Sequence, residues 1–146
     1  MARPVEYDNL VRTGSLKDAV STQDSIAQFI RAAEQMLAAA QSGLPEAPRF
    51  TLSYEGMFDV VMAVLEHHET RPGDSGSHRA TAIQRVAVDL QLEPSRISVL
   101  MRLHDTRNRV TYRSPIPPVT MADADAMLSI LQSMLSATKE LLNFAS

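Results

Sequence analysis

The sequence predicts an all-α protein, an antiparallel bundle of four to five helices. Apolar residues recur at three- and four-residue spacing along most of the chain, and no stretch shows the polar and apolar alternation of a half-buried strand. The eight prolines fall between these periodic stretches. A chain of 146 residues is long enough to form one core, so we predict a single domain over 1–146, with 1–14 as an N-terminal extension.

The first half of the chain contains two long predicted helices. Two capping boxes, 15–18 and 21–24, precede a helix over 22–41, and a shorter helix is expected before it. A second helix covers 50–69 and ends in two histidines, whose protonated forms would suit a helix C-terminus. The stretch 71–77, rich in glycine and serine, is expected to form a loop.

Three further helices are predicted in the second half. Apolar periodicity indicates helices over 78–90 and 95–112, separated by a turn at Pro94. The proline-rich stretch 114–118 ends the second of them, because prolines in succession cannot continue a helix. A last helix over 120–144 begins with a capping box at its first residue.

Composition excludes several classes of protein. The chain has no cysteine, which excludes disulfides, thiolate catalysis and thiolate-bound zinc. It has no apolar run long enough to span a bilayer and no signal-peptide core, so a cytoplasmic location is expected. The net charge of −3 provides no general attraction to nucleic acid, and any such surface must come from a local cluster of basic residues.

No metal or cofactor site is expected. The adjacent His67 and His68 point about 100° apart on a helix and do not converge on one ion. Asp123 and Asp125 are two residues apart on a helix and do not face each other. The chain also has no glycine-rich phosphate loop and no nucleophile elbow.

The predicted helix over 95–112 carries the candidate site. Arg107 falls on its apolar side, where an unpaired guanidinium would be costly to bury. It therefore either bridges to an acidic side chain of a neighbouring helix or lines a cleft that binds an anion such as phosphate. His104 and Thr111 share this face. A different face carries a basic stripe that is a candidate nucleic-acid contact, formed by Arg102, Arg109 and Arg113.

Four short motifs lie along the chain at 50–55, 71–72, 76–80 and 107–109. Their order, and the Arg107-Asn108 pair within the last of them, resembles the HEPN family of small helical domains over about 9–142. The resemblance implies a bundle of four to five antiparallel helices that commonly forms a homodimer. It also implies a small nucleotidyltransferase as partner, in a bacterial toxin–antitoxin or defence module.

Active members of the HEPN family are metal-independent ribonucleases with an arginine and, a few residues later, a histidine. The resemblance carries over Arg107 as the phosphate contact and Asn108 as its polar neighbour, whereas Tyr112 stands where the histidine is expected. Histidine, with an ordinary pKa of about 6.5, suits a general base near pH 7, and tyrosine, at about 10, does not. Tyr112 can still donate to a phosphate or stack on a base. His104, one turn before Arg107, is a candidate replacement for the base.

The expected function is therefore that of an RNA- or nucleotide-directed component of a bacterial toxin–antitoxin, stress or defence module. Enzymatic activity is left open, and an enzyme of this kind would be a metal-independent endoribonuclease. One alternative is a non-catalytic module that binds a nucleotidyltransferase partner. Another is a helix-turn-helix DNA-binding regulator over 79–101, in which Ser95, Arg96 and Ser98 would face DNA.

Overall fold

The computed structural model describes residues 3–143. This part of the chain is an all-α bundle, as predicted, with six helices and one small two-stranded sheet. None of its helices is long and apolar enough to cross a membrane. The elements in chain order are α1 (Val5–Thr13), β1 (Leu16–Asp18), α2 (Gln23–Ala40), α3 (Glu46–His67), β2 (Thr70–Pro72), α4 (Ser77–Asp89), α5 (Pro94–Tyr112) and α6 (Met121–Leu142).

Helix α3 is the centre of the bundle. It packs against α2 and α6 along most of its length and also contacts α4 and α5. Gly56 of α3 allows both α2 and α6 to approach α3 closely, since a Cβ at this residue would lie 2.8 Å from Cδ2 of Leu131 in α6 and 3.0 Å from Cβ of Met36 in α2. The core is therefore centred on the packing of α3 against α2 and α6.

The region before α2 differs from the prediction. The capping box expected at 15–18 is wrong, because most of this segment is strand β1, and the shorter helix expected before α2 lies earlier in the chain, as α1. The N-cap of α2 is Thr22, whose hydroxyl accepts a hydrogen bond from the backbone N–H of Ser25 at 3.0 Å. The expected cap, Ser21, instead donates to the carbonyl of Glu66 at 2.6 Å. This bond joins the start of α2 to the end of α3, so the two helices run antiparallel.

Helix α1 lies within 1–14, the predicted N-terminal extension, and packs against the rest of the domain. Tyr7 of α1 is fully buried, and its hydroxyl donates to Oδ2 of Asp89 at 2.6 Å. Its ring centroid lies 4.3 Å from that of His68. Helix α1 has nine residues and Tyr7 is its one buried side chain, so apolar periodicity is too weak to give its bounds.

The small sheet holds the loop that leads into α4. Strands β1 and β2 pair antiparallel, with Leu16 opposite Pro72. Beyond the pair, the backbone N–H of Gly73 donates to the carbonyl of Ser15 at 2.9 Å. The sequence predicts no strand because three residues are too few to show alternation. The sheet therefore fixes the residues after β2 against the N-terminal part of the domain.

The other helix boundaries agree closely with the prediction, apart from the start of α3. This helix begins at Glu46, so that Pro48 lies in its first turn and not in a connection. First-turn N–H groups have no acceptor within the helix, so a proline is tolerated there. The N-cap predicted for the last helix is confirmed, since the hydroxyl of Thr120 accepts from the N–H of Asp123 at 3.0 Å, while Oδ1 of Asp123 pairs with Arg102 and does not complete the capping box.

Candidate functional site

A cleft of about 610 Å³ lies between α3, α4 and α5. It contains the predicted site, because His104, Arg107, Asn108 and Tyr112 all line it. The remaining lining residues come from α3, from the end of β2 and the loop after it, from α4 and from the C-cap of α5, and they are Phe58, Met62, Pro72, Gly73, Ser75, Gly76, Arg79 and Arg113.

Arg107 is held on the inner side of α5, as its position in the sequence predicts. Its side chain is 16% exposed, and Nη2 lies 3.4 Å from Oε1 of Glu55 in α3. Its guanidinium carbon is 4.8 Å from the ring centroid of Tyr54 and 5.5 Å from that of Tyr112. The side chain of Glu55 is 41% exposed, so this long ion pair neutralises Arg107 only weakly. Arg107 thus both bridges to an acid and lines the cleft.

A second arginine, which the sequence analysis does not assign to the site, faces the same cleft. The guanidinium carbon of Arg79 lies 3.9 Å above the ring centroid of Phe58, and Nη1 donates to the hydroxyl of Tyr54 at 3.5 Å. Within residues 3–143, no carboxylate forms an ion pair with Arg79. Arg79 and Arg107 therefore place two guanidinium groups in the cleft in addition to that of Arg113, with one partly exposed carboxylate, Glu55, beside Arg107.

Tyr54 and His104 connect α3 to α5 beneath the cleft. Tyr54 is fully buried and His104 is 3% exposed. The hydroxyl of Tyr54 lies 2.9 Å from Nδ1 of His104, and Nε2 of the same ring lies 3.3 Å from Nδ2 of Asn108. Both nitrogens of the imidazole are therefore engaged by neighbouring side chains.

Burial shifts the pKa values of both members of this pair. Burial lowers the pKa of His104, and the charges of Arg79 and Arg107 lower it further, while Asp105 opposes them. Burial raises the pKa of Tyr54, so its hydroxyl keeps its proton near neutral pH. His104, the candidate base, is thus a buried neutral imidazole with no free nitrogen.

The N-terminal end of α4 also borders the cleft. Its N-cap is Gly76, which forms no side-chain cap, so the first N–H groups of α4 have no side-chain acceptor there. Gly73 allows the preceding loop to pack closely, since a Cβ at this residue would collide with the ring of His78 and the carbonyl of Gly14. Helix N-termini of this kind favour negative charge.

The predicted basic stripe on α5 is divided by its contacts. Nη1 of Arg102 lies 3.2 Å from Oδ1 of Asp123 in α6, which directs it away from the cleft. Nη1 of Arg109 donates to the carbonyl of Ser114 at 3.0 Å and supports the turn after α5. Of the three basic residues, Arg113 alone lines the cleft, where it is exposed.

Two other residues of α5 have different positions. Tyr112 lines the mouth of the cleft with 70% of its surface exposed, and its ring is free to meet a ligand. Thr111, expected to share a face with His104 and Arg107, is exposed and does not line the cleft. The convergence predicted for these three side chains therefore holds for His104 and Arg107 and is wrong for Thr111.

The segment that could form a helix-turn-helix has the expected turn, but one of the three residues expected to face DNA, Arg96, contacts α6 instead. Gln91 adopts a φ of 61°, the left-handed conformation usually given to glycine at this turn. Arg96, expected to face DNA, donates from Nη1 to Ser133 at 2.9 Å and from Nη2 to Ser129 at 3.1 Å. Both serines belong to α6, so Arg96 joins two helices of the bundle. Ser98 is exposed.

The histidines at the end of α3 take no part in the cleft. Burial lowers the pKa of His68 to about 4, with His67 adding to the effect, so His68 is neutral near pH 7 and adds no positive charge to the helix end. In the described part of the chain, no three His, Asp or Glu side chains come together as a metal site would require.

Asp59 lies one turn after Glu55 on α3. Burial, with a smaller contribution from Glu55, raises the pKa of Asp59 to about 6, above the ordinary value near 3.9 that it has in the unfolded chain. The folded state therefore binds more protons between these two values, and stability falls as the pH rises from about 4 to about 6.

Replacing Asp59 by asparagine should remove this loss of stability. We expect Asp59→Asn to raise the free energy of unfolding at pH 7.5 by roughly 1 kcal/mol, a value reduced for solvent screening, and to have less effect at pH 4. Urea denaturation at both pH values measures it. Glu140→Gln, which changes an exposed carboxylate on α6, is the control. An equal effect of Asp59→Asn at both pH values would contradict the prediction.

Comparisons of the chain with protein-family models, with curated proteins and with solved structures found no match. The resemblance to the HEPN family therefore rests on the four sequence motifs alone.

Proposed function

We propose that this protein is an RNA- or nucleotide-directed component of a bacterial toxin–antitoxin, stress or defence module, and that its cleft binds a phosphate group of the ligand. The observation that carries the proposal is the convergence of Arg79 and Arg107 on one cleft. Among residues 3–143, Arg79 has no carboxylate partner, and the single carboxylate partner of Arg107 is the partly exposed Glu55. Guanidinium groups are the preferred side chains for phosphate because their parallel N–H groups match its oxygens.

Other features of the cleft support a nucleotide as the source of that phosphate. Phe58 and Met62 provide an apolar wall, and the exposed ring of Tyr112 stands at the mouth. Aromatic rings at the edge of a cationic groove are where unpaired bases stack. Arg113 adds a further positive charge on the same side.

Binding is favoured over cleavage. A ribonuclease of this type needs a base that takes a proton from a 2′-hydroxyl. His104 is buried and hydrogen-bonded at both ring nitrogens, so it has no free lone pair to take a proton, and Tyr112 stands at the place expected for the histidine. The homodimer and the nucleotidyltransferase partner expected from the resemblance to the HEPN family stay predictions.

Binding of a short, fluorescently labelled single-stranded RNA tests the proposal. We expect Arg79→Gln and Arg107→Gln each to weaken binding by about tenfold, because each removes one charged contact to phosphate. Each should also lower the slope of log affinity against log salt by about 0.7. Arg31→Gln, which removes an exposed arginine of α2, is the matched control and should have little effect.

Circular dichroism should show that both cleft variants keep the helical fold. Affinities equal to that of the native protein in both Arg79→Gln and Arg107→Gln would contradict the proposal. Incubation of the same RNA with EDTA present measures metal-independent cleavage. Cleavage that is lost in Arg107→Gln would assign an endoribonuclease to this cleft, and cleavage that persists in that variant would contradict the site.

A further inference from the structure

We propose that Tyr54 is the positioning residue of this cleft: its hydroxyl and ring hold Arg79 and Arg107 so that two guanidinium groups face one anion. This inference rests on the proposed function. It assigns a role to a side chain that contributes nothing to the lining and lies entirely beneath it.

Tyr54 contacts Arg79 directly. Tyr54 lies on the central helix α3, and its hydroxyl oxygen accepts a hydrogen bond from Nη1 of Arg79 at 3.5 Å. Arg79 is further located by Phe58, one turn along the same helix, whose ring centroid is 3.9 Å from the guanidinium carbon. Two side chains of one rigid helix thus set the direction of the guanidinium group of α4.

Tyr54 is connected to Arg107 in two ways, through its ring and through its hydroxyl. The guanidinium carbon lies 4.8 Å from the ring centroid of Tyr54, so the buried phenol forms a surface against which Arg107 rests. The hydroxyl of Tyr54 is also linked to Arg107 through two other side chains. It lies 2.9 Å from Nδ1 of His104, and Nε2 of the same ring lies 3.3 Å from Nδ2 of Asn108. Oδ1 of Asn108 in turn accepts a hydrogen bond from Nη1 of Arg107 at 3.3 Å.

The arginines determine the direction of every hydrogen bond in this chain. A guanidinium group can only donate, so the amide of Asn108 must present Oδ1 to Arg107 and Nδ2 to His104. Nε2 of His104 then accepts, and the single proton of the neutral ring lies on Nδ1, from which it is donated to the hydroxyl oxygen of Tyr54. That oxygen accepts from His104 and Arg79 together, which uses both of its lone pairs.

This arrangement has a consequence for His104. A second proton on its ring would face the amide N–H of Asn108 with another donor and would place a positive charge near Arg79 and Arg107. His104 is therefore a neutral link between Tyr54 and Asn108. Its place beside the arginines reflects their positioning rather than proton transfer to a ligand.

Nuclear magnetic resonance of the free protein tests the arrangement without any ligand. We expect ¹⁵N shifts of the His104 ring to show the tautomer protonated on Nδ1 near pH 7. We also expect the side-chain N–H signals of Arg79 and Arg107 to move or broaden in Tyr54→Phe, which keeps the ring and removes the hydroxyl. A proton on Nε2, or arginine signals unchanged by the substitution, would overturn the inference even if RNA binds as proposed.

RNA binding provides the second test. We expect Tyr54→Phe to weaken binding by about fivefold, and the double variant with Arg79→Gln to bind about threefold more tightly than the product of the two single losses predicts. A purely structural role of Tyr54 would make the two losses multiply, and that result would overturn the inference. Tyr7→Phe, which removes the hydroxyl of a buried tyrosine on α1, is the control and should leave affinity unchanged.

The two proposals fail in different ways. Absence of RNA binding by the native protein would contradict the proposed function, while the His104 tautomer and the arginine signals would still decide the positioning role. Thermal unfolding of Tyr54→Phe confirms that the variant is folded before its affinity is compared.

Discussion

Replacing Gly56 by leucine is expected to lower the free energy of unfolding by about 3 kcal/mol or more. Gly56 lies on the central helix, where a Cβ alone would be 2.8 Å from Cδ2 of Leu131 and 3.0 Å from Cβ of Met36. The methyl end of Leu131 can rotate, but the Cβ of Met36 belongs to the backbone frame of α2. The added atoms therefore separate α2 or α6 from α3 and disturb packing throughout the core.

The prediction is measured by urea denaturation followed by circular dichroism. Gly76→Ala is the control, because a Cβ at Gly76 would meet nothing within 4 Å and its φ is −58°. The control should change stability by less than about 0.5 kcal/mol. Gly56→Ala should fall between the two, since the gain in helix propensity of about 1 kcal/mol offsets part of the overpacking. A Gly56→Leu protein as stable as the native one would contradict this account of the core.

The sequence is sufficient to predict the part of the cleft that α5 forms. Helical periodicity places Arg107 on the inner face of α5, and His104 and Asn108 lie within one turn of it. These relations depend only on spacing along one continuous helix, so the sequence is sufficient to derive them. The structure agrees, since all three side chains line the same cleft.

The other part of the cleft comes from helices distant in the chain and could not be predicted in the same way. Tyr54 precedes His104 by 50 residues, and Arg79 lies between them on α4. Their contacts depend on the angles at which α3, α4 and α5 cross, which periodicity does not contain. One signal was present: a tyrosine on an apolar stripe needs a partner for its hydroxyl. That signal indicates a buried polar contact near Tyr54 without identifying His104.

The two roles predicted for Arg107, in an ion pair and in a cleft, cannot be distinguished from the sequence. The sequence offers either an internal ion pair with an acid or a place in a cleft, and the structure contains both. Deciding between them requires the distance to Glu55 and the exposure of that carboxylate, since a long pair with an exposed acid leaves most of the positive charge available. Neither quantity follows from the spacing of residues in a chain.

Starting the chain at Ser15 is expected to lower the free energy of unfolding by about 3 kcal/mol or more, which bears directly on the N-terminal extension predicted for 1–14. The truncation removes Tyr7, whose ring is fully buried against His68 and whose hydroxyl donates to Asp89. Burial and then Asp89 raise the pKa of Tyr7, so the hydroxyl remains a donor to that carboxylate over the whole working pH range.

The loss should appear in thermal and urea denaturation of the truncated protein, and Tyr7→Ala in the full chain should reproduce most of it, because Tyr7 is the buried side chain of α1. Val5→Ala on the same helix is the matched control, since Val5 is 63% exposed and its loss creates no cavity. A truncated protein within about 1 kcal/mol of the full chain would mean that α1 adds little to the stability of the bundle. RNA affinity measured on the truncated protein separates the contribution of α1 to stability from the contribution of β1 to the cleft. We expect the affinity to be kept, because the truncated protein retains the pairing of β1 with β2 that holds the loop beside the cleft.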